Sequence, residues 1–137
     1  MRVPFNYDLR RITSHCVNLC NGRIDVLADD KSKGLGGAPT VYYLSINHPE
    51  KPLAFGQIRD ETTRLTFHQG DPAEGTKGIT HEALIAVLID RLTGFQAGPF
   101  ASNNNDDALY HLKEAQKALQ QRTEERAARG VEGQAIP

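Results

Sequence analysis

The residues best placed to do chemistry in this chain are three arginines near its end. On a helical wheel of about 100° per residue, Ala108, Leu112, Ala115 and Leu119 form one narrow apolar stripe. Arg122 and Arg126 continue that stripe and Arg129 borders it, while Lys113, Glu114, Lys117, Gln121, Glu124 and Glu125 fall on other faces. An arginine on a core-side stripe needs an acceptor, because an unpaired buried charge is costly. Its planar fork suits phosphate oxygens. Two arginines at i and i+4 point the same way, so together they can grip a diphosphate or a cyclic phosphate. The spacing also fits pairing with carboxylates of a partner subunit, or capping of the helix C-terminus, and by itself it leans towards these structural roles.

Other candidates surround the turn before that helix. Phe95 and Phe100 flank Gly98-Pro99. An aromatic face can stack on a base, and the same two rings can equally be plugs beneath a helical turn. Asn105 reads first as a helix cap, although its amide could also both donate to and accept from a base edge or a ribose.

The remaining reactive residue types form no constellation. His81, His111, Asp71 and Asp60 do not combine into a base, nucleophile or metal set of the kind a hydrolase needs. His15, His48, His68, His81 and His111 lack ligand spacing, so no metal site and no cofactor is expected. If the segment around Cys16 and Cys20 is a strand, the two thiols sit about 13 Å apart, too far for a disulfide; buried free thiols are expected.

Charge limits the ligand. The chain of 137 residues has a net charge of −1, without the basic excess of a non-specific nucleic-acid binder. Any anion site is therefore local, which favours a small anionic ligand. No apolar run approaches the roughly 18 residues of a membrane span, and the N-terminus shows no apolar leader, so a cytoplasmic protein is the expectation.

The elements that must position these groups come in two kinds, giving an α+β fold in a single domain over residues 1–137. The β-rich part, residues 1–79, reads as an antiparallel meander of about five strands: Ile12–Cys20, Arg23–Ala28, Thr40–Ile46, Leu53–Arg59 and Thr63–Gln69. Asn21-Gly22 supplies a hairpin signal, since both residues tolerate positive φ. The glycine-rich Asp29–Pro39 lacks the phosphate-loop pattern and precedes a strand, so it reads as a mobile hairpin loop. Gly70–Gly78 links to residues 80–137, a helical hairpin and tail. Its first helix starts after the cap Thr80, runs from His81 to about Thr93 and stops at Gly94. The apolar residues Leu84, Ile85, Val87, Leu88, Ile89 and Leu92 cover more than one face, which points to a subunit interface. The second helix runs from Asp106 to Arg129, capped by Asn105 or a neighbouring asparagine, with Asp106 and Asp107 in its first turn and Gly130 at its end.

The run from residue 88 to 133 resembles the helical hairpin shared by two phage counter-defence families, the first Thoeris anti-defence family and the second anti-CBASS family. The blocks that carry the resemblance are Asp90-Arg91-Leu92, Phe95 to Ala101, Asn105, Arg122-Thr123 with Arg126, and Arg129 to Gly133. The β-rich segment ahead of the hairpin resembles the Thoeris branch in architecture. The resemblance implies a non-catalytic sponge that binds and keeps intact a cyclic nucleotide immune signal, the glyco-cyclic ADP-ribose of Thoeris, with CBASS cyclic di- or trinucleotides as further ligands. It implies that Phe95 stacks on the adenine, Asn105 hydrogen-bonds the ligand, and Arg122 and Arg126 hold the diphosphate, with Gln96, Phe100 and Arg129 as weaker candidates. It also implies a homo-oligomer, dimer or hexamer, with pockets at subunit interfaces and no nucleic-acid or membrane partner, in the cytoplasm of the infected host. Here Ser102 stands where the families often have cysteine, Gln134 where threonine is usual, and Asp106-Asp107 replaces a more apolar pair. The other readings are an enzyme that hydrolyses the signal and a nucleic-acid-binding or structural oligomer.

Overall fold

The computed structural model describes residues 3–4, 9–48, 58–59 and 61–130. They fall into two compact units, one within residues 1–69 and one within residues 70–137.

The first unit is antiparallel sheet. Strands β1 (Val3–Pro4) and β5 (Ile58–Arg59) pair with each other. Strands β2 (Leu9–Ile12), β3 (Ile24–Asp29), β4 (Val41–Ile46) and β6 (Thr62–Thr66) form a four-stranded sheet in the order β2-β3-β4-β6. This corrects the five-strand meander. Of the expected strand Leu53–Arg59, the described residues Ile58 and Arg59 belong to the two-stranded pair and not to the larger sheet; positions 53–57 lie outside the described residues. The β-branched and aromatic run before residue 47 forms the central β4, as such residues favour a pleated, half-buried surface. Ala28 and Val41 are buried, as is the hydroxyl-bearing Ser45. Edge-to-face contact between Tyr42 and Phe67, with ring centroids 5.7 Å apart, adds to the packing.

The Asn21-Gly22 signal misleads. Strands β2 and β3 do pair, but residues 13–23 connect them and include one helical turn, α1 (Leu19–Gly22). The Asn18 side chain accepts from the Asn21 N–H at 2.9 Å, and the Asn18 carbonyl accepts from the Gly22 N–H at 2.9 Å. Asn18 thus acts as an N-cap, and neither Asn21 nor Gly22 takes the positive φ that a two-residue hairpin turn demands. Cys16 and Cys20 therefore do not share a strand. Both are free thiols, Cys16 half-buried and Cys20 exposed.

The glycine-rich loop between β3 and β4 is closed by one hydroxyl. Ser32 Oγ donates to the Asp29 carbonyl at 2.5 Å and accepts from the N–H groups of Thr40 and Val41 at 2.9 and 3.0 Å. One donor and two acceptor sites exhaust what a serine hydroxyl offers.

The second unit is the helical hairpin. Helix α2 (His81–Gln96) begins at Thr80, whose side chain accepts from the Ala83 N–H at 3.1 Å, as its cap position requires. It runs three residues past Thr93, so Gly94 is an interior residue rather than a stop; it takes no positive φ, and glycine's intrinsic helix penalty of about 1 kcal/mol is overridden. Helix α3 (Asn103–Ala128) starts three residues earlier than the acidic pair suggested. Its cap is Ser102, which accepts from the Asn105 N–H at 3.1 Å; Asn105 is already helical. Gly130 ends it at φ 72°, as its position implied.

The seam between the helices follows a heptad. On α3 the less exposed positions are Asn105, Leu109, Leu112, Gln116, Leu119, Thr123 and Arg126, in alternating steps of four and three, with Ala108 of the expected stripe beside them. On α2 they are Glu82, Ile85, Ile89, Leu92 and Gln96 in the same rhythm, with Leu84 beside them. Alternation of this kind gives the 3.5-residue repeat of helices wound together, which drifts away from a straight 3.6-residue wheel. That drift corrects the expected stripe, since Ala115 and Arg122 are exposed while Leu109 is the one buried residue of α3. No residue of α2 is buried, although half of that helix is apolar.

Candidate functional site

The residues singled out from the sequence gather at two places on the hairpin. At the turn between the helices sit Phe95, Gln96, Phe100 and Asn105. Phe95 is 37% exposed and Phe100 73%. The Arg91 guanidinium lies 5.0 Å from the centroid of the Phe95 ring, a cation–π pair one helical turn apart that covers one side of the ring. Arg91 is a functional candidate that pattern reading passed over. Its signal was the i, i+4 spacing to Phe95, which puts the two side chains on one face.

Gln96 is fully engaged. Its Oε1 accepts from the Ser102 N–H at 2.9 Å, and its Nε2 donates to the Ser102 carbonyl at 2.9 Å and to Asp106 Oδ1 at 2.7 Å. Asn105 Nδ2 donates to the Phe100 carbonyl at 3.4 Å, a long bond. Asp106, one of the acidic pair that follows Asn105, is thus met by an amide donor.

The arginines stand elsewhere. Gln116 Nε2 donates to the Glu82 carbonyl at 3.2 Å, which sets the two helices level at those residues. At about 1.5 Å per residue, Arg122 and Arg126 lie about 9 and 15 Å beyond that level, past the start of α2. Phe95 lies about 20 Å to the other side, and Asn105 is about 26 Å from Arg122 along α3. Arg122 is exposed and has no ion-pair partner among the described residues. Arg126 lies on the seam, half-buried, and Arg129 is exposed at the helix end. The candidates therefore form two groups, aromatic-and-amide at the turn and cationic at the far end, that do not meet within one chain.

Between the two groups α2 presents an apolar face. Leu84, Val87, Leu88, Arg91 and Phe95 fall within about 100° of arc, and Val87 is 61% exposed. Among the described residues no group of histidine, cysteine, aspartate and glutamate could hold a metal ion. Among the described residues no helix is long and apolar enough to cross a membrane.

The sheet unit holds a shallow cavity of about 350 Å³ lined by Ile24, Leu44, Ser45, Ile46, Glu61, Thr62 and Thr63. His48 hydrogen-bonds Glu61 at its rim. None of the candidates from the sequence borders it.

Residues 57–124 match the hairpin domain described as Acb2/Tad1. The class is therefore that of proteins built on this hairpin, and the match takes in the last strands, both helices and Arg122, ending short of Arg126. The chain is also similar to the protein named Thoeris anti-defense 1 of Bacillus phage SBSphiJ7, with 43% identity over 84 residues covering 61% of this chain. The aligned part spans 59% of that relative's length. By these two matches the chain is similar to the Thoeris anti-defence family that shares the Acb2/Tad1 hairpin.

Proposed function

We propose that this protein is a phage counter-defence sponge, which binds a cyclic nucleotide immune signal in the cytoplasm of the infected host and withholds it without degrading it. The first ligand to test is glyco-cyclic ADP-ribose; cyclic di- and trinucleotides are the second class. The observation that carries the reading is the division of the family hairpin into a stacking end and a cationic end. A nucleotide signal has a base and phosphates, and the two ends match those two chemistries.

A ligand the size of cyclic ADP-ribose cannot span about 26 Å along one hairpin. In the proposed assembly two copies run antiparallel, so that Phe95 and Asn105 of one copy face Arg122 and Arg126 of the other. A two-fold pairing of this kind is isologous and generates two equivalent pockets. The apolar face of α2 supports it, because a helix this apolar with no buried residue has surface left to cover. A dimer is the smallest such assembly, and a hexamer repeats the same pairing.

Sequestration works by mass action, so the protein must be abundant and bind tightly enough to outcompete the effector. The test is to load the protein with the product of a TIR-domain enzyme, remove free ligand, heat the complex and identify what is released. Release of the unaltered signal, in stoichiometric amount, is the expected result. A cleaved product, or turnover by sub-stoichiometric protein, makes it a hydrolase instead.

A further inference from the structure

Gln96 is the most heavily bonded side chain of the hairpin turn, and none of its bonds points outward. One planar amide meets both the N–H and the C=O of Ser102, at 2.9 Å each, and its second N–H goes to Asp106 Oδ1 at 2.7 Å. Both amide hydrogens are therefore committed, and the amide orientation is dictated: reversed, its oxygen would confront a carbonyl and a carboxylate. From Ser102 the network continues. Its hydroxyl caps the Asn105 N–H at 3.1 Å, its carbonyl also accepts from the Asp106 N–H at 3.2 Å, and Asn105 Nδ2 reaches back to the Phe100 carbonyl. A single side chain on the last turn of α2 thus fixes the start of α3 and the connector carrying Phe100.

We propose that Gln96 is a positioning residue: it ties Ser102 and Asp106 to α2 so that Phe95, Phe100 and Asn105 keep the mutual placement a bound nucleotide requires. The role in binding rests on the sponge reading, whereas the clasp rests on the hydrogen bonds alone. It gives glutamine a chemical reason at this position. A carboxylate of the same length has no hydrogen for the Ser102 carbonyl or for Asp106, and asparagine is one methylene short.

The experiment combines amide hydrogen exchange at Ser102 with calorimetric binding of TIR-made glyco-cyclic ADP-ribose, on the full chain. Gln96→Ala should speed exchange at Ser102, and both Gln96→Ala and Gln96→Glu should weaken binding on the order of tenfold at neutral pH, while amides in the middle of α2 and α3 keep their protection. Adding Asp106→Asn to Gln96→Glu supplies a donor to the introduced carboxylate and should restore most of the affinity. Acidification should partly restore Gln96→Glu as well, because the protonated carboxyl regains a donor. A role in bulk packing alone predicts neither rescue. Unchanged exchange at Ser102 in Gln96→Ala overturns the clasp. Faster exchange with unchanged affinity overturns the positioning role. A wild-type protein that binds no signal of this class overturns the sponge reading and the binding half of the proposal, and exchange still decides the clasp.

Discussion

The two ends of the hairpin are built on opposite plans. At the turn end Gln96, Ser102, Asn105 and Asp106 are tied to one another and to the connector by hydrogen bonds before anything binds. At the far end α3 runs past the start of α2, with Arg122 and Arg129 exposed and Arg126 half-buried on the seam. Rigid aromatic groups stack best when held in advance, because ordering them on binding would cost free energy. An exposed arginine such as Arg122 keeps its reach instead. In the proposed assembly this contrast would let one short hairpin supply a different half of the pocket at each end.

The sharpest way to break that comparison is complementation. A Phe95→Ala protein and an Arg122→Ala/Arg126→Ala protein should each bind no ligand in calorimetry. Mixed, unfolded and refolded together, they should regain about one site in four, because half the dimers are mixed and each mixed dimer holds one intact pocket. No regain of binding means that the two groups do not cooperate across copies. Next in size is the seam that holds both ends at a fixed distance. Leu109→Ala should lower unfolding free energy by about 2–4 kcal/mol in a urea melt followed at the helices. A loss below about 1 kcal/mol would mean the hairpin is not packed around that residue. Single substitutions Arg122→Ala or Arg126→Ala should each weaken binding by about 1.5–3 kcal/mol with folding intact; normal binding by both would remove the far end from the site. Thr80→Ala should cost about 1 kcal/mol of stability through its lost cap, with ligand affinity unchanged.

The smallest effect lies in the sheet unit. The Arg10 fork donates to both carboxylate oxygens of Asp30 at 3.0–3.3 Å, and this holds the Asp30 carboxyl below its ordinary value of 3.8. A carboxyl depressed in the folded state contributes stability that is full above its unfolded pKa and is lost as pH falls through the folded one. The stability difference between the wild type and Asp30→Asn should stay flat from neutral pH down to 3.8 and shrink below it. Both side chains are solvated, so added salt should also shrink it. A difference that grows towards acid would show that the pair is not what sets it.

Much of this was legible in local chemistry. Thr80 and Gly130 mark helix ends because caps are decided by a few neighbouring atoms, and the β-branched run of β4 announces itself the same way. The failures share a different cause. Asn21-Gly22 has hairpin chemistry, but Asn18 three residues earlier offered a competing cap. Gly94 should end a helix, yet its helix continues where Gln96 bonds across the turn. Asn105 looked like the cap because the acidic pair follows it, while Ser102 does the capping. The arginine stripe was drawn on an unwound wheel, and winding of the two helices rotated Arg122 off the seam and kept Arg126 on it. The distance between Phe95 and the arginines had no signal in any motif, since only the helical register sets it.

The Ser32 clasp has a practical consequence. One hydroxyl closes the base of the loop between β3 and β4; beyond it Gly34 approaches the Gln69 side chain closely, while Leu35 at the loop's tip is 92% exposed. Extra residues at that tip lengthen a loop already shut, at a cost of only about 0.6 kcal/mol per doubling of its length. A peptide tag or fluorophore-bearing segment inserted beside Leu35 should leave the pairing of β3 with β4 intact.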